Sequence, residues 1–462
     1  MLTPSANVTA SPAKSIWRSL SHLQRCRVVA AARKQLADDA EWLAELCESD
    51  QRTDPVETVT AEITPLCAAL KFIGKNGPSI LRSQRFGVRG RPIWLWGVTS
   101  EVSRVAWGDV LILAAWNYPL LLPGVQIAQA LAAGNHVWFK PAPGCEKIAA
   151  VLVSAFLRAG VPQTALSLLP SSPAAAQQRI DDGVDLVVLT GGSTSGRAVM
   201  TRCAQTLTPS IMELSGCDAV LIGPGADLDH AAKTIAFGLT FNAGATCIGP
   251  RRLVVSPDQL AALVDRLREH LGEAPPQVVH PAARKAVVAA ITDAQRRGAV
   301  DILGPQQTTD VLGSRGELRP RIYSGVGADW KIADGDLFAP VASLLEAADD
   351  EAMVQIVNRC RYRLAASVFG PPLWARSLAD RLDVGHVSIN DMIFPTADPR
   401  IPFGGRGHSG FGVTRGAAGL LAMSQPKVTA IHRGSVFLHL RKRGPSDLAA
   451  ALKLLRASHG GK

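Results

Sequence analysis

The sequence predicts an α/β protein built on parallel sheets of the doubly wound type. Three observations carry that expectation. The uninterrupted apolar run at 110–115 reads as a strand buried on both faces, and 184–189 and 219–222 are further strand candidates. Between and around them apolar residues recur at helical spacing, as at 120–133 and 145–159. Gly134 and Gly160 follow those two stretches, where left-handed C-caps fall. Strands alternating with helices in this way build parallel sheets. A chain of 462 residues has room for about three domains or lobes at roughly 150 residues each.

Taken in order, residues 13–80 read as helical. Apolar residues recur there from Leu20 through Leu46 and from Val56 to Leu70, with Gly74 and Gly77-Pro78 as the stop. Residues 92–106 alternate apolar with polar around Gly97, a hairpin pattern. The strand 110–115 and helix 120–133 follow, then strand 136–139, helix 145–159 and strands at 165–169, 184–189 and 219–222. A helical run at 228–241 leads into a loop of small residues at 242–250. Residues 253–255 restart the alternation, with helices near 257–271 and 281–297 and strands at 365–369 and 386–389. Residues 402–416 are glycine-rich and irregular, and 427–440 are strand-like and basic. Ser446-Asp447 is placed to cap a short amphipathic helix reaching Leu455.

Composition narrows the function. With 47% hydrophobic and 19% charged residues the chain has the material for a large core and is not disordered. The net charge of +10 would suit an anionic partner, but its basic residues are dispersed except at 82–91 and 439–443. Neither stretch has the form of a nucleic-acid module, so a solvated basic surface is expected and no nucleic-acid partner. No apolar stretch approaches the roughly 18 residues of a membrane span. The first 20 residues hold Lys14, Trp17 and Arg18 but no continuous apolar segment, so no secretion signal and a cytoplasmic location are expected. The eight cysteines form no Cys-x-x-Cys pair and no zinc-like spacing with histidine. Reduced thiols and no metal follow as expectations, with one thiol free to act as a nucleophile.

Four segments have the residue types that catalysis uses. Cys247 ends Asn-Ala-Gly-Ala-Thr-Cys at 242–247, where small neighbours let a substrate carbon approach sulfur; a solitary cysteine is more often a packing residue. Asn117, in Trp-Asn-Tyr-Pro after strand 110–115, can offer an amide to a developing oxyanion or simply make a turn before Pro119. Glu213 stands at a strand end among apolar residues, where burial raises a carboxyl pKa and suits it to act as a general base; alone it reads as a surface residue. Thr190 through Gly196 open a helix with glycines that let backbone approach a diphosphate, without being the Gly-x-Gly-x-x-Gly fingerprint.

The order and spacing of these segments resemble the aldehyde dehydrogenase superfamily from about residue 15 to 433. The matching stretches are WNYP at 116–119, GNHVWFKP at 134–141, TGGSTSG at 190–196 and ELSG at 213–216. NAGATC at 242–247, DLFAP at 336–340, GHVSIN at 385–390 and PFGGRGHSG at 402–410 continue the series. The resemblance implies two Rossmann-like sheet domains and a small oligomerisation β-element. Residues 1–91 and 107–215 correspond to a cofactor-binding domain, 216–425 to a catalytic domain, and 92–106 with 426–440 to the oligomerisation element. Residues 441–462 form a basic C-terminal extension. The expected assembly is a homodimer or homotetramer.

The same resemblance implies NAD(P)-dependent oxidation of an aldehyde to a carboxylic acid. Cys247 matches the nucleophile, Asn117 with the Cys247 backbone N–H the oxyanion site, and Glu213 the base that hydrolyses the thioester. Lys140, Gly191, Gly192, Ser193, Gly196, Trp116, Leu214, Asp336 and Phe338 match cofactor-binding positions for NAD or NADP. Tyr118, Leu122, Val125, Thr246, Ile248 and Phe403 are expected to line an apolar substrate funnel. The chain departs from the family at four places. Pro143 replaces a glutamate that binds the adenosine ribose, which opens the site to NADP. Asp336 replaces a longer glutamate, Ala339 a glycine, and Ser215 the first glycine of a pair. Acyl transfer to coenzyme A, and a family member of weak activity kept for binding, are the competing readings.

Overall fold

The computed structural model describes residues 12–304, 311–435, 437–440, 442 and 444–460. The start of the predicted cofactor-binding segment, 1–11, and residues 441, 443, 461 and 462 of the predicted extension lie outside these described residues.

Four helices, Pro12–Ser19, His22–Asp38, Ala40–Leu46 and Thr64–Ile80, occupy most of the N-terminal region. Ser21 and Gln24 form a reciprocal capping box that starts the second of them. The expected stop at Gly74 and Gly77-Pro78 is corrected: the helix runs through both glycines to Ile80. These glycines serve packing. A Cβ at Gly74 would lie 2.6 Å from Ala30 Cβ, and one at Gly77 2.7 Å from Cys26 Sγ, so the helices close on one another only because both positions lack a side chain. Pro78 falls in the last turn, where Leu81 N–H still closes on Gly77 O at 2.9 Å.

The first sheet contains Asp109–Leu113, His136–Lys140, Leu166–Leu168, Leu186–Gly191 and Ser210–Leu214, all parallel. Asp109–Leu113 lies between Leu186–Gly191 and His136–Lys140, and this reversal of strand order is where ligands bind in doubly wound sheets. A short strand, Gly410–Phe411, adds antiparallel to the Ser210–Leu214 edge, pairing Gly410 with Glu213. The second sheet runs, in spatial order, Val300–Asp301, Arg321–Ser324, Val341–Glu346, Pro250–Val255, Asp218–Ile222, Ala365–Phe369 and His386–Ile389. All its neighbours are parallel except the first pair. The central strands of both sheets, such as Asp109–Leu113, Asp218–Ile222 and Pro250–Val255, are almost wholly buried, which explains their apolar runs.

By internal contacts the chain divides into one unit of residues 1–82 with 104–425, which holds both sheets, and another of 83–103 with 426–462. The second unit contains a three-stranded sheet in the order Gln84–Phe86, Val98–Ala106, Ser424–His432. This corrects the expected hairpin of 92–106: Val98–Ala106 pairs with Gln84–Phe86, not with 92–96. Pro92 lacks an N–H for a ladder, and residues Ile93–Leu95 form a single 3-10 turn instead. The terminal helix spans Asp447–His459. Ser446 does not cap it through its side chain; its backbone is already helical, and Asp447 Oδ2 accepts from Gly444 N–H.

Candidate active site

The helix Leu121–Ala133, which joins the parallel strands Asp109–Leu113 and His136–Lys140, is buried along its whole length. Its residue Gln126 projects to the end of the strand Ser210–Leu214. Gln126 Nε2 donates to Glu213 Oε2 at 2.8 Å and to Thr190 Oγ1 at 2.9 Å. Thr190 Oγ1 donates to the same carboxylate oxygen at 3.2 Å, and Thr414 Oγ1 donates to Oε1. Thr414 is carried there by a two-way backbone bridge with Phe403, at 2.8 and 2.9 Å. Burial raises the Glu213 pKa above the ordinary carboxyl value, against the charge of Arg415 and three donors that favour the anion.

Cys247 lies just after a loop whose backbone is left-handed at three consecutive residues, with φ of 52° at Asn242, 52° at Ala243 and 72° at Gly244. Only the third is a glycine, so the first two carry strain. Arginines hold the loop from two sides. Arg251 donates to Ala339 O at 2.9 Å and to Gly244 O. Arg52 Nη2 donates to Asn117 O at 2.6 Å and to Asn242 Oδ1 at 3.2 Å, and pairs through Nη1 with the fully buried Glu62. Glu62 Oε2 in turn accepts from the backbone N–H groups of Leu120 and Leu121, at 2.6 and 3.0 Å, where the buried helix begins. One buried ion pair therefore ties the asparagine turn, the cysteine loop and the helix start together.

Asn117 Nδ2 donates one hydrogen to Ala245 O at 2.9 Å. This fixes the amide on the loop that leads to Cys247. The Cys247 thiol is half-buried, and burial, with Asp218 adding to it, pushes its pKa up to about 12.

Asn117, Glu213 and Cys247 line one cleft of about 600 Å³. Trp116, Leu122, Lys140, Gly191, Gly192, Leu214, Asp336, Phe338 and Phe403 line it too. Six expected site residues do not. Ser193 is the first residue of the helix Ser193–Thr206. Gly196 faces inward, and a Cβ there would lie 2.8 Å from Leu214 Cδ1, so it sets helix-to-strand spacing. Tyr118 and Thr246 bond one another through their hydroxyls at 2.7 Å in the interior. Ile248 packs against Leu364, Ala365 and Phe403. Val125 likewise packs in the core of the first sheet's helical layer.

The cleft suits a dinucleotide on several counts. The helix Ser193–Thr206 begins there with Gly192 as its N-cap and no side chain over its first N–H groups. A Cβ added at Gly191 or Gly192 would have no atom nearer than 3.6 or 3.9 Å, so the turn is open to close approach. Asp336 Oδ1 is buried without a hydrogen-bond partner, and burial pushes the Asp336 pKa up to about 6. Lys140 forms no ion pair among the described residues, and burial lowers its pKa. Trp116 stacks on His280 at 3.8 Å between ring centres and tilts toward Phe338.

Sequence reasoning missed Arg52, Glu62, Gln126, Asn242, Arg251 and Thr414. Asn242 and Thr190 lay inside quoted motifs, and a three-donor requirement around Glu213 could have singled out Thr190. Arg52 and Glu62 had no local signal, because charged residues on an amphipathic stretch read as solvent-facing.

Comparison with known proteins gives the family and the fold. The profile described as the aldehyde dehydrogenase family matches residues 4–429. The chain is 29% identical over 422 residues to a 4,4'-diapolycopene aldehyde oxidase of Methylomonas sp, covering 89% of this chain and 78% of that one. It is 28% identical over 452 residues to a betaine aldehyde dehydrogenase of Agrobacterium fabrum, covering 93% and 88%. Among solved structures it is similar to a Mycobacterium tuberculosis aldehyde dehydrogenase complexed with NAD+, at 26% identity and a TM-score of 0.82, covering 91% and 88%.

Proposed function

The chain belongs to the aldehyde dehydrogenase family, and from that premise we propose that it oxidises an apolar aldehyde to the carboxylic acid, with NAD or NADP, through a thioester on Cys247. The convergence of Asn117, Glu213 and Cys247 on one cleft carries this reading.

Burial keeps the resting thiol protonated, so Cys247 Sγ adds to the aldehyde carbon as its proton passes to a water molecule in the cleft. The oxygen that becomes negative meets the second hydrogen of the Asn117 amide and the Cys247 backbone N–H, which has no partner among the described residues. When bound, the nicotinamide supplies the hydride acceptor. Lys140, the Ser193–Thr206 N-terminus, Asp336 and Phe338 are the groups that would hold it. Glu213, with its raised pKa, then takes a proton from the water that cleaves the thioester.

Among the described residues that line the cleft, the carboxylates are Glu213 and Asp336. Pro143 offers no carboxylate against a 2′-phosphate, which supports use of either cofactor. Leu122 and Phe403 support an apolar substrate. The eight free cysteines, one of them the proposed nucleophile, support a reducing, cytoplasmic setting. Among the described residues no helix is long and apolar enough to cross a membrane. A homodimer or homotetramer is proposed through Ser424–His432, an edge strand of nine residues that exposes Val428 and Ile431.

The test is a set of initial rates over an aldehyde panel with each cofactor, beside Cys247→Ala. Aldehyde-dependent growth of reduced-cofactor absorbance that disappears in the variant is expected. Turnover surviving in Cys247→Ala would overturn the assignment. Coenzyme A added to the assay decides the acyl-transfer alternative by whether an acyl-CoA appears.

A further inference from the structure

The helix Asp447–His459 has thirteen residues and buries none of them. Leu448, Leu452 and Leu455 recur along one face and remain 70%, 39% and 56% exposed. Lys453 and Arg456 stand beside that stripe. A helix of about 12–15 residues without tertiary support is marginal in water, so this one needs a surface to lie on. The same unit concentrates apolar exposure: among the described residues, 13 of the 27 exposed large apolar side chains fall within 83–103 and 426–462. Trp94 and Trp96 are among them, exposed by 52% and 74%. Arg433 N–H donates to Gly97 O at 2.8 Å, which sets the tryptophan turn beside the root of the tail.

Charge selects the occupant. Residues 427–462 hold eight basic side chains against one acidic, a net +7 out of the chain's +10. Nearly all of that charge lies beyond the strand: 424–432 holds Lys427 alone, whereas a second copy of 433–462 would bring seven basic side chains against one acidic and be repelled. An anionic surface is attracted, and a leucine stripe flanked by lysine and arginine with tryptophans nearby is the pattern of a helix lying in a lipid interface. We propose that the C-terminal helix docks the protein on an anionic lipid bilayer, lying in the plane of the headgroups with Leu448, Leu452 and Leu455 inward. This docking is independent of the chemistry in the cleft.

Co-sedimentation of the full chain with phosphatidylglycerol-containing vesicles and with pure phosphatidylcholine vesicles tests it. Partition onto the anionic vesicles is expected to exceed that onto the neutral ones by about tenfold or more, and to fall as salt rises. The combined Leu448→Asp, Leu452→Asp, Leu455→Asp variant should lose about tenfold or more of that binding, with turnover of a water-soluble aldehyde unchanged. The combined Lys442→Glu, Lys453→Glu, Arg456→Glu variant keeps every leucine and should lose the preference for anionic vesicles. Equal partition of the native chain and both variants overturns the proposal. So does a smaller sedimentation coefficient of the leucine variant without vesicles, which would make a second copy the occupant, and so does tight RNA binding without vesicle binding.

Discussion

Asn117 acts at the smallest scale: a single side-chain amide oriented by its bond to Ala245 O, on a turn whose backbone carbonyl accepts from Arg52 and from Asn242 Nδ2. A preorganised donor of this kind is worth about 10²–10³ in rate, so Asn117→Ala should lower kcat by that factor in steady-state assays, with the fold unchanged by circular dichroism. Glu213→Gln keeps two of the surrounding hydrogen bonds in place but cannot take a proton. A burst of reduced cofactor, one equivalent per site with no steady phase, is the expected stopped-flow record; undiminished steady turnover would remove Glu213 as the base. Cys247 gives a pH prediction. Its folded pKa of about 12 lies above the ordinary thiol value, so the reactive thiolate is a minor form at neutral pH and grows as pH rises. Alkylation of Cys247 in the free protein should quicken by about tenfold per pH unit through the neutral range, measured by iodoacetamide trapping and mass spectrometry. The three reacting residues were legible because each sat in a quoted motif at the right place in the order. Tyr118 and Thr246 misled for the same reason: both lie next to reacting residues in sequence, but both side chains are buried, where they bond each other.

Whole elements were legible to the degree that their pattern was local. The helix Leu121–Ala133 and its C-cap Gly134, left-handed at φ 99°, were readable from the sequence alone. The strands Arg321–Ser324 and Val341–Glu346 were not anticipated, although the second sheet depends on them, because Arg321 is a buried charge that bonds Tyr323 rather than water. The stop assigned to Gly74 and Gly77 failed because glycine marks close helix packing as readily as it marks an end. The buried Arg52–Glu62 pair was invisible for a related reason: its burial comes from elements about sixty residues away in the chain and more. That pair gives the prediction for this scale. Glu62→Gln leaves a buried guanidinium without its counter-charge, and about 3–5 kcal/mol of stability should be lost in chemical denaturation. The same change frees the asparagine turn and the cysteine loop, so kcat should fall as well, although residue 62 does not line the cleft.

For the molecule as a whole, the succession of apolar runs and helical stretches announced two parallel sheets, while the partner of the strand Val98–Ala106 could be known only from three-dimensional pairing. Assembly belongs to this scale. Ile431→Lys puts a charge on the exposed face of the edge strand, and a shift toward the monomer in analytical ultracentrifugation is the expected result. The route of the chain through the site has a further consequence. Glu213 and Cys247 lie at the middle of the chain, but the strand that edges Glu213, at Gly410–Phe411, and the hydroxyl of Thr414 that holds its carboxylate come about 170–200 residues later. During synthesis on the ribosome the thiol is therefore out in the cell well before the base has its final support. A polypeptide ending ahead of residue 409 leaves that support unbuilt, so it is expected to show no steady turnover even with Cys247 and Asn117 in place.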